Sequence, residues 1–147
     1  MIVFAVTHVP GASAARDQIV KDQQALLPQL EVIEDPNREG VWPTTRRAYD
    51  TLLDKYPKAT HLCVLQDDVV PTTNFVELTD QIAAARPEAV VSMFSMRKCV
   101  GEALDAGKAW IETTDGLGPG PIIPTNWVRQ FLTWNDAHLA PDYKHDD

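Results

Sequence analysis

Two adjacent carboxylates, Asp67 and Asp68, follow directly on the apolar run His61-Leu62-Cys63-Val64-Leu65 and the single residue Gln66. Neighbouring carboxylates repel each other and invite a cation. Hard divalent ions take oxygen ligands of this kind and keep positions open for phosphate oxygens. The same pair also reads as a solvated turn in which Asp68 caps a neighbouring element. The segment by itself does not separate the two. Three other places carry polar residues at the end of an apolar stretch: Thr7-His8, Glu34-Asp35 and Ser95-Met96-Arg97-Lys98. In an open α/β sheet, ligands bind beyond the carboxyl ends of the strands. If the four stretches are parallel strands, all four places meet on one rim.

The elements needed to position them are legible in the pattern. Ile2 to Val6 is a short apolar run closed by Pro10-Gly11, as expected of a buried strand. Ser13 can cap a helix to about Leu27, with Ile19, Leu26 and Leu30 facing inward. Leu30 to Ile33 reads as a second strand, running into the turn-forming Glu34-Asp35-Pro36-Asn37. Thr44 or Thr45 can cap the next helix. Its apolar face is Tyr49, Leu52, Leu53 and Tyr56, and Pro57 stops it. His61 to Leu65 is the third strand. Asn74 with Glu77 resembles a capping box for a helix to Arg86, with Phe75, Leu78 and Ile82 on one face. Ala89 to Phe94 reads as a fourth strand and Ala109-Trp110-Ile111 as a short one. Gly116 to Pro121 reads as a loop, and Asn126 to Trp134 as a helix with Val128, Phe131 and Leu132 inward. Strands alternating with helices predict an α/β fold with a mostly parallel central sheet and flanking helices.

Composition narrows the functional classes. A chain of 147 residues fits a single domain, 1–147, with its own core. The net charge of -8 disfavours nucleic-acid backbones and anionic membranes as partners. Cys63 and Cys99 are the two cysteines, too few for a disulfide framework and without zinc-ligand spacing. The apolar start, Ile2 to Val6, is too short for a signal-peptide core, and no run reaches membrane-spanning length. The expected location is the cytoplasm. A receiver domain needs its acidic pair after the first strand, where Thr7-His8 stands instead. A haloacid-type phosphatase needs Asp-x-Asp, and Val69 lies two residues after Asp67. The glycines Gly116, Gly118 and Gly120 lack the Gly-Lys-Ser/Thr ending of a phosphate-binding loop.

Val64-Leu65-Gln66-Asp67-Asp68-Val69-Val70-Pro71 resembles the DxD segment of GT-A-fold glycosyltransferases, in its "LEDDv.P" form. Asp35-Pro36, Gly40-Val41-Trp42 and Arg46-Arg47-Ala48 resemble the nucleotide-contacting region that precedes it. Trp110 and Gly118 to Pro124 resemble the acceptor-side segment, and His145-Asp146-Asp147 the later acidic motif. The resemblance spans nearly the whole chain, with Gln66 in place of the first acidic residue.

It implies a Rossmann-like nucleotide-binding half and a nucleotide-diphosphate sugar as donor, with Mn²⁺ or Mg²⁺ as the metal. Asp68 and His145 would be metal ligands, and Asp67 would lie near the ribose or sugar. Asp35 would approach the nucleoside, with Thr7 on the same rim and Trp42 available to stack. Arg46 or Arg47 would pair with the diphosphate or sugar. Asp146, beside Asp147, would be the base for an acceptor hydroxyl. Simpler roles exist for several of these: a solvated surface pair for Arg46 and Arg47, and core packing for Trp42. The acceptor is not implied. Two other functions share these features: a nucleotide-sugar binding module without turnover, and a nucleotidyltransferase-like enzyme.

Overall fold

The computed structural model describes residues 1–27, 29–93, 98–112 and 118–139. In chain order the elements are β1 (Ile2–His8), α1 (Ala14–Leu26), β2 (Glu31–Glu34), α2 (Val41–Lys55) and β3 (His61–Gln66). They are followed by α3 (Phe75–Ala85), α4 (Lys98–Asp105), β4 (Ile122–Pro124) and α5 (Thr125–His138). One sheet runs in the order β2-β1-β3-β4. β1 is parallel to both neighbours, and β4 is antiparallel to β3. The expected α/β class and mostly parallel sheet are therefore present. Among the described residues no helix is long and apolar enough to cross a membrane.

The two central strands are apolar at nearly every position because both their faces are covered. Alternate side chains point to opposite faces of the sheet. Val3 and Ala5 of β1, with Leu62 and Val64 of β3, pack on Ala48, Tyr49 and Leu52 of α2 and on Val128 and Leu132 of α5. Phe4 and Val6, with Cys63 and Leu65, face Val20 of α1, Leu27 and Phe75 of α3. Leu52 and Leu62 are fully buried, and truncating either to Ala would cost about 2–5 kcal/mol. β2 forms one border of the sheet. Its first residue, Glu31, accepts hydrogen bonds from Lys55 Nζ (2.7 and 2.8 Å) and the Tyr56 hydroxyl (2.8 Å).

Several expectations are corrected. The run Ala89 to Phe94 forms no strand within its described part. Val91 makes a single antiparallel bridge with Ile122. The position beside β3 belongs to Ile122-Ile123-Pro124, a strand too short for alternation to reveal. Its Pro124 is tolerated because the strand lies on the border. Residues 109–112 carry no strand either. α4 is a further helix that the sequence pattern above does not name, with Ala103 buried and Leu104 exposed.

α2 begins at Val41, three or four residues before the expected caps. Gly40 takes the capping position with φ of 114°, a conformation side chains resist. Pro43 is accommodated in the first turn. Helix faces differ in part from expectation. α1 buries Val20 and Gln23, with Leu26 and Leu30 packed partly buried on the core. α3 buries Phe75 as expected and also Thr79, while Leu78 is exposed. α5 buries Val128 and Leu132 as expected and also Asn135, while Phe131 is exposed. Gly120 enters β4 with φ of 69°, and a Cβ there would stand 2.8 Å from Leu65 Cδ2, so this turn needs glycine.

Candidate functional site

Strand register aligns the three parallel carboxyl ends. Thr7 lies opposite Ile33 on one side and Gln66 on the other, and His8 lies opposite Glu34. The His8 carbonyl accepts the Asp35 amide at 2.7 Å. His8, Asp35 and Gln66-Asp67-Asp68 thus reach one rim. Of the fourth expected place, Lys98 opens α4, and Ser95, Met96 and Arg97 lie outside the described residues.

The acidic pair occupies the middle of a β-turn, closed by the Val69 amide donating to the Gln66 carbonyl at 3.2 Å. Gln23 of α1 clamps this turn from below. Its Nε2 donates to the Gln66 carbonyl at 3.1 Å and to the Val69 carbonyl at 2.6 Å. The Gln23 side chain is fully buried, and among the described residues its Oε1 meets no hydrogen-bond partner.

The two carboxylates then diverge. Asp67 turns inward and is 5% exposed. Its Oδ2 pairs with His8 Nδ1 at 3.0 Å and accepts the Val9 amide at 3.3 Å, while its Oδ1 meets Arg16 Nη1 at 3.2 Å. Asp68 turns outward, with its side chain 50% exposed, and its Oδ2 meets Arg16 Nη2 at 3.4 Å. One guanidinium from the first turn of α1 therefore spans both acids.

His8 is buried between two acids. Its second ring nitrogen, Nε2, lies 3.2 Å from Asp17 Oδ1, which also accepts the Gly11 amide at 3.1 Å. Each ring nitrogen thus has a carboxylate oxygen within hydrogen-bond distance. A cleft of about 350 Å³ opens beside this cluster, lined among others by His8, Gly11, Asp17, Lys21 and Glu34. That volume lies at the lower end of small-molecule sites.

The remaining sequence-derived candidates have definite places. Asp35 is buried and accepts the Glu39 amide (2.9 Å), the Gly40 amide (3.2 Å) and the Thr44 hydroxyl (3.0 Å). Burial pushes its carboxyl up. The two amides, the Thr44 hydroxyl and the charge of Arg47 outweigh this and hold it below the ordinary 3.8. Arg47 also pairs with Glu39 and donates to the Glu34 carbonyl. Arg46 is bound to Asp136 of α5 and, at 3.0 Å, to Asp50, and these acids push its pKa up. Trp42 packs edge-on to Phe131, with ring centroids 5.5 Å apart, and joins the α2-side core. Thr7 donates to the Leu65 carbonyl at 3.4 Å. His145, Asp146 and Asp147 lie outside the described residues.

Sequence reading missed Arg16, Asp17 and Gln23. All three sit on a helix with little apolar periodicity, where polar residues look solvated. Gln23, an amide four residues after Ile19 and three before Leu26 on the face expected to point inward, carried the available signal.

Among the described residues no three His, Cys, Asp or Glu side chains gather as a metal cage. Asp67 has its oxygens engaged. Asp68 has carboxylate oxygen facing solvent. The arrangement fits a divalent ion that arrives with a diphosphate, since such ions need one or two carboxylates besides phosphate and water.

No family model matches the chain, and no curated protein matches it in sequence. In structure it is similar to a solved glycosyltransferase involved in the glycosylation of the major capsid of PBCV-1. The TM-score is 0.54 at 11% sequence identity, over 95% of this chain and 68% of the other. At that identity the likeness establishes a shared fold, one whose sheet rim here carries Asp67 and Asp68.

Proposed function

We propose that this chain transfers a sugar from a nucleotide-diphosphate donor to an acceptor hydroxyl, using Mn²⁺ or Mg²⁺ at Asp68. One observation carries the reading: a half-exposed carboxylate is held on a clamped turn at the carboxyl end of a central strand, in a fold similar to that of a glycosyltransferase. When bound, the cation supplies charge neutralisation to the departing diphosphate. The chain's own residues position the donor. Asp68 would hold the cation together with His145. Asp67 fixes the turn near the ribose or sugar. Asp35, Thr7 and Trp42 shape the nucleoside side, and Arg46 or Arg47 would pair with the diphosphate or sugar. Asp146, next to Asp147, takes the proton of the acceptor hydroxyl.

The test is titration of uridine and guanosine diphosphate, with Mn²⁺ and with chelator, into the wild type and Asp68→Ala. The cation should strengthen binding to the wild type at least tenfold and leave the variant unchanged. Equal affinity with and without chelator would remove the metal from the reading. Asp146→Asn should abolish sugar transfer and spare nucleotide affinity, because a base serves the acceptor.

The engaged state of Asp67 favours a second reading, a nucleotide-sugar binder without turnover. Donor hydrolysis in the presence of Mn²⁺ separates the two, since a pure binder shows none. Release of pyrophosphate in place of a nucleoside diphosphate would identify a nucleotidyltransferase instead.

A further inference from the structure

The acidic turn already holds a cation of its own. Arg16 places Nη1 on Asp67 and Nη2 on Asp68, at 3.2 and 3.4 Å, and its side chain is 46% exposed. Its two contacts are unequal. On Asp67 it is one of three donors, the others being His8 and the Val9 amide. On Asp68 it is the partner found among the described residues, at a solvent-facing oxygen. An exposed pair of this kind is worth a factor of about five or less in equilibrium, so it breaks easily. A divalent ion seeking Asp68 must compete with the guanidinium for the same carboxylate, because two cations on one oxygen repel. A planar guanidinium released at this rim is suited to two phosphate oxygens at once.

We propose that Arg16 is the resident counter-cation of the acidic turn: it yields Asp68 to the divalent ion and turns its freed N–H groups to the donor's diphosphate. The proposal rests on the metal reading of Asp68 given above. It assigns Arg16 two opposed effects, which a merely structural ion pair does not have. It weakens binding of the bare metal and strengthens binding of the nucleotide.

The experiment measures Mn²⁺ alone, by paramagnetic resonance of the free ion, and then uridine and guanosine diphosphate at saturating Mn²⁺ by calorimetry. The proteins are the wild type, Arg16→Gln, Arg16→Lys and Asp68→Asn, each checked for its melting temperature. Arg16→Gln should bind Mn²⁺ about 2–5-fold tighter than the wild type, since the competing charge is gone. The same variant should bind both nucleotides about 10-fold or more weakly, since charge-assisted bonds to phosphate are lost. Arg16→Lys should keep the weak bare-metal affinity and recover part of the nucleotide binding. Mn²⁺ binding that is unchanged in Arg16→Gln, with Asp68→Asn abolishing it, overturns the role of Arg16 and leaves the metal reading standing. Tighter Mn²⁺ with unchanged nucleotide affinity also overturns it. Absence of bare Mn²⁺ binding in every protein overturns the role of Arg16, and nucleotide affinity that is equal with and without Mn²⁺ overturns the metal reading as well.

Discussion

Asp67 and Asp68 are adjacent and chemically identical, yet their substitution should have very different consequences for stability. Asp67→Ala removes the acceptor for His8 Nδ1 and the Val9 amide, and one contact of Arg16. His8 then keeps Asp17 alone, and a part-buried amide loses its bond. Losing a buried hydrogen bond to a carboxylate costs about 1.5–3 kcal/mol, because the abandoned partner stays desolvated. The Arg16 contact adds little, since its side chain is 46% exposed and solvent screens it. At roughly 2–4 °C per kcal/mol for a chain of this size, the melting temperature should fall by roughly 3–12 °C. Asp68→Ala loses an exposed pair worth about 0–1 kcal/mol, a fall of less than about 4 °C. Asp67→Asn keeps an acceptor oxygen for His8 and the Val9 amide, so it should lie between the two. Thermal unfolding followed by circular dichroism, at pH 7 and moderate salt, measures all three. Equal losses at the two positions, or the larger loss at Asp68, would refute the division of labour drawn from their burial.

Gln23→Met keeps the buried volume and deletes both donors to the Gln66 and Val69 carbonyls. We expect a loss of about 1–3 kcal/mol in urea unfolding and a weaker Mn²⁺ affinity, and an unchanged affinity would show that the turn holds its shape without the clamp. Cys63 is buried, and burial pushes its thiol up to about 12, whereas Cys99 is exposed. A thiol reagent at pH 8 should label Cys99 at once and Cys63 only on unfolding, as read by mass spectrometry; rapid double labelling of the native protein would contradict this. Asp35 has its folded pKa below the unfolded 3.8, so its contribution is present above that value and fades as the pH falls below it toward the folded value. Asp35→Asn should therefore flatten the acid limb of the stability profile below about pH 4, and an unaltered limb would show that the carboxyl is not held down by its bonds.

How much of this was legible depended on where hydrophobic periodicity was strong. β1, β3 and α2 bury continuous or regularly spaced apolar residues, so their existence and parallel arrangement follow from the pattern. Asp67 and Asp68 could be found because an apolar strand ends just before them. Their division into an inward and an outward carboxylate could not, because it depends on partners 59 residues away in β1 and 51 and 52 residues away in α1, as the His8–Asp67, Arg16–Asp67 and Arg16–Asp68 pairs show. β4 escaped notice because three residues with a proline are too few to show alternation. Asp35 was correctly placed on the rim. Its bonds to the Glu39 and Gly40 amides were hidden because they depend on the path of a loop.

The borders of the sheet carry a consequence for colloidal behaviour. A free strand edge is a template on which another chain can pair, and long flat edges seed fibrils. Here β4 has its outer side occupied by Val91, whose amide and carbonyl both bond Ile122, at 2.9 and 2.8 Å. The opposite border is the four-residue β2, framed by Glu31 and Glu34. Edge-to-edge docking of two copies there would bring like carboxylates together and strip Glu31 of water while Lys55 and Tyr56 hold it. Strand addition between copies is thus discouraged on both sides. The two carboxylate-flanked residues, Val32 and Ile33, make Glu31→Val with Glu34→Val the pair of substitutions most suited to turning this border into a nucleus for aggregation.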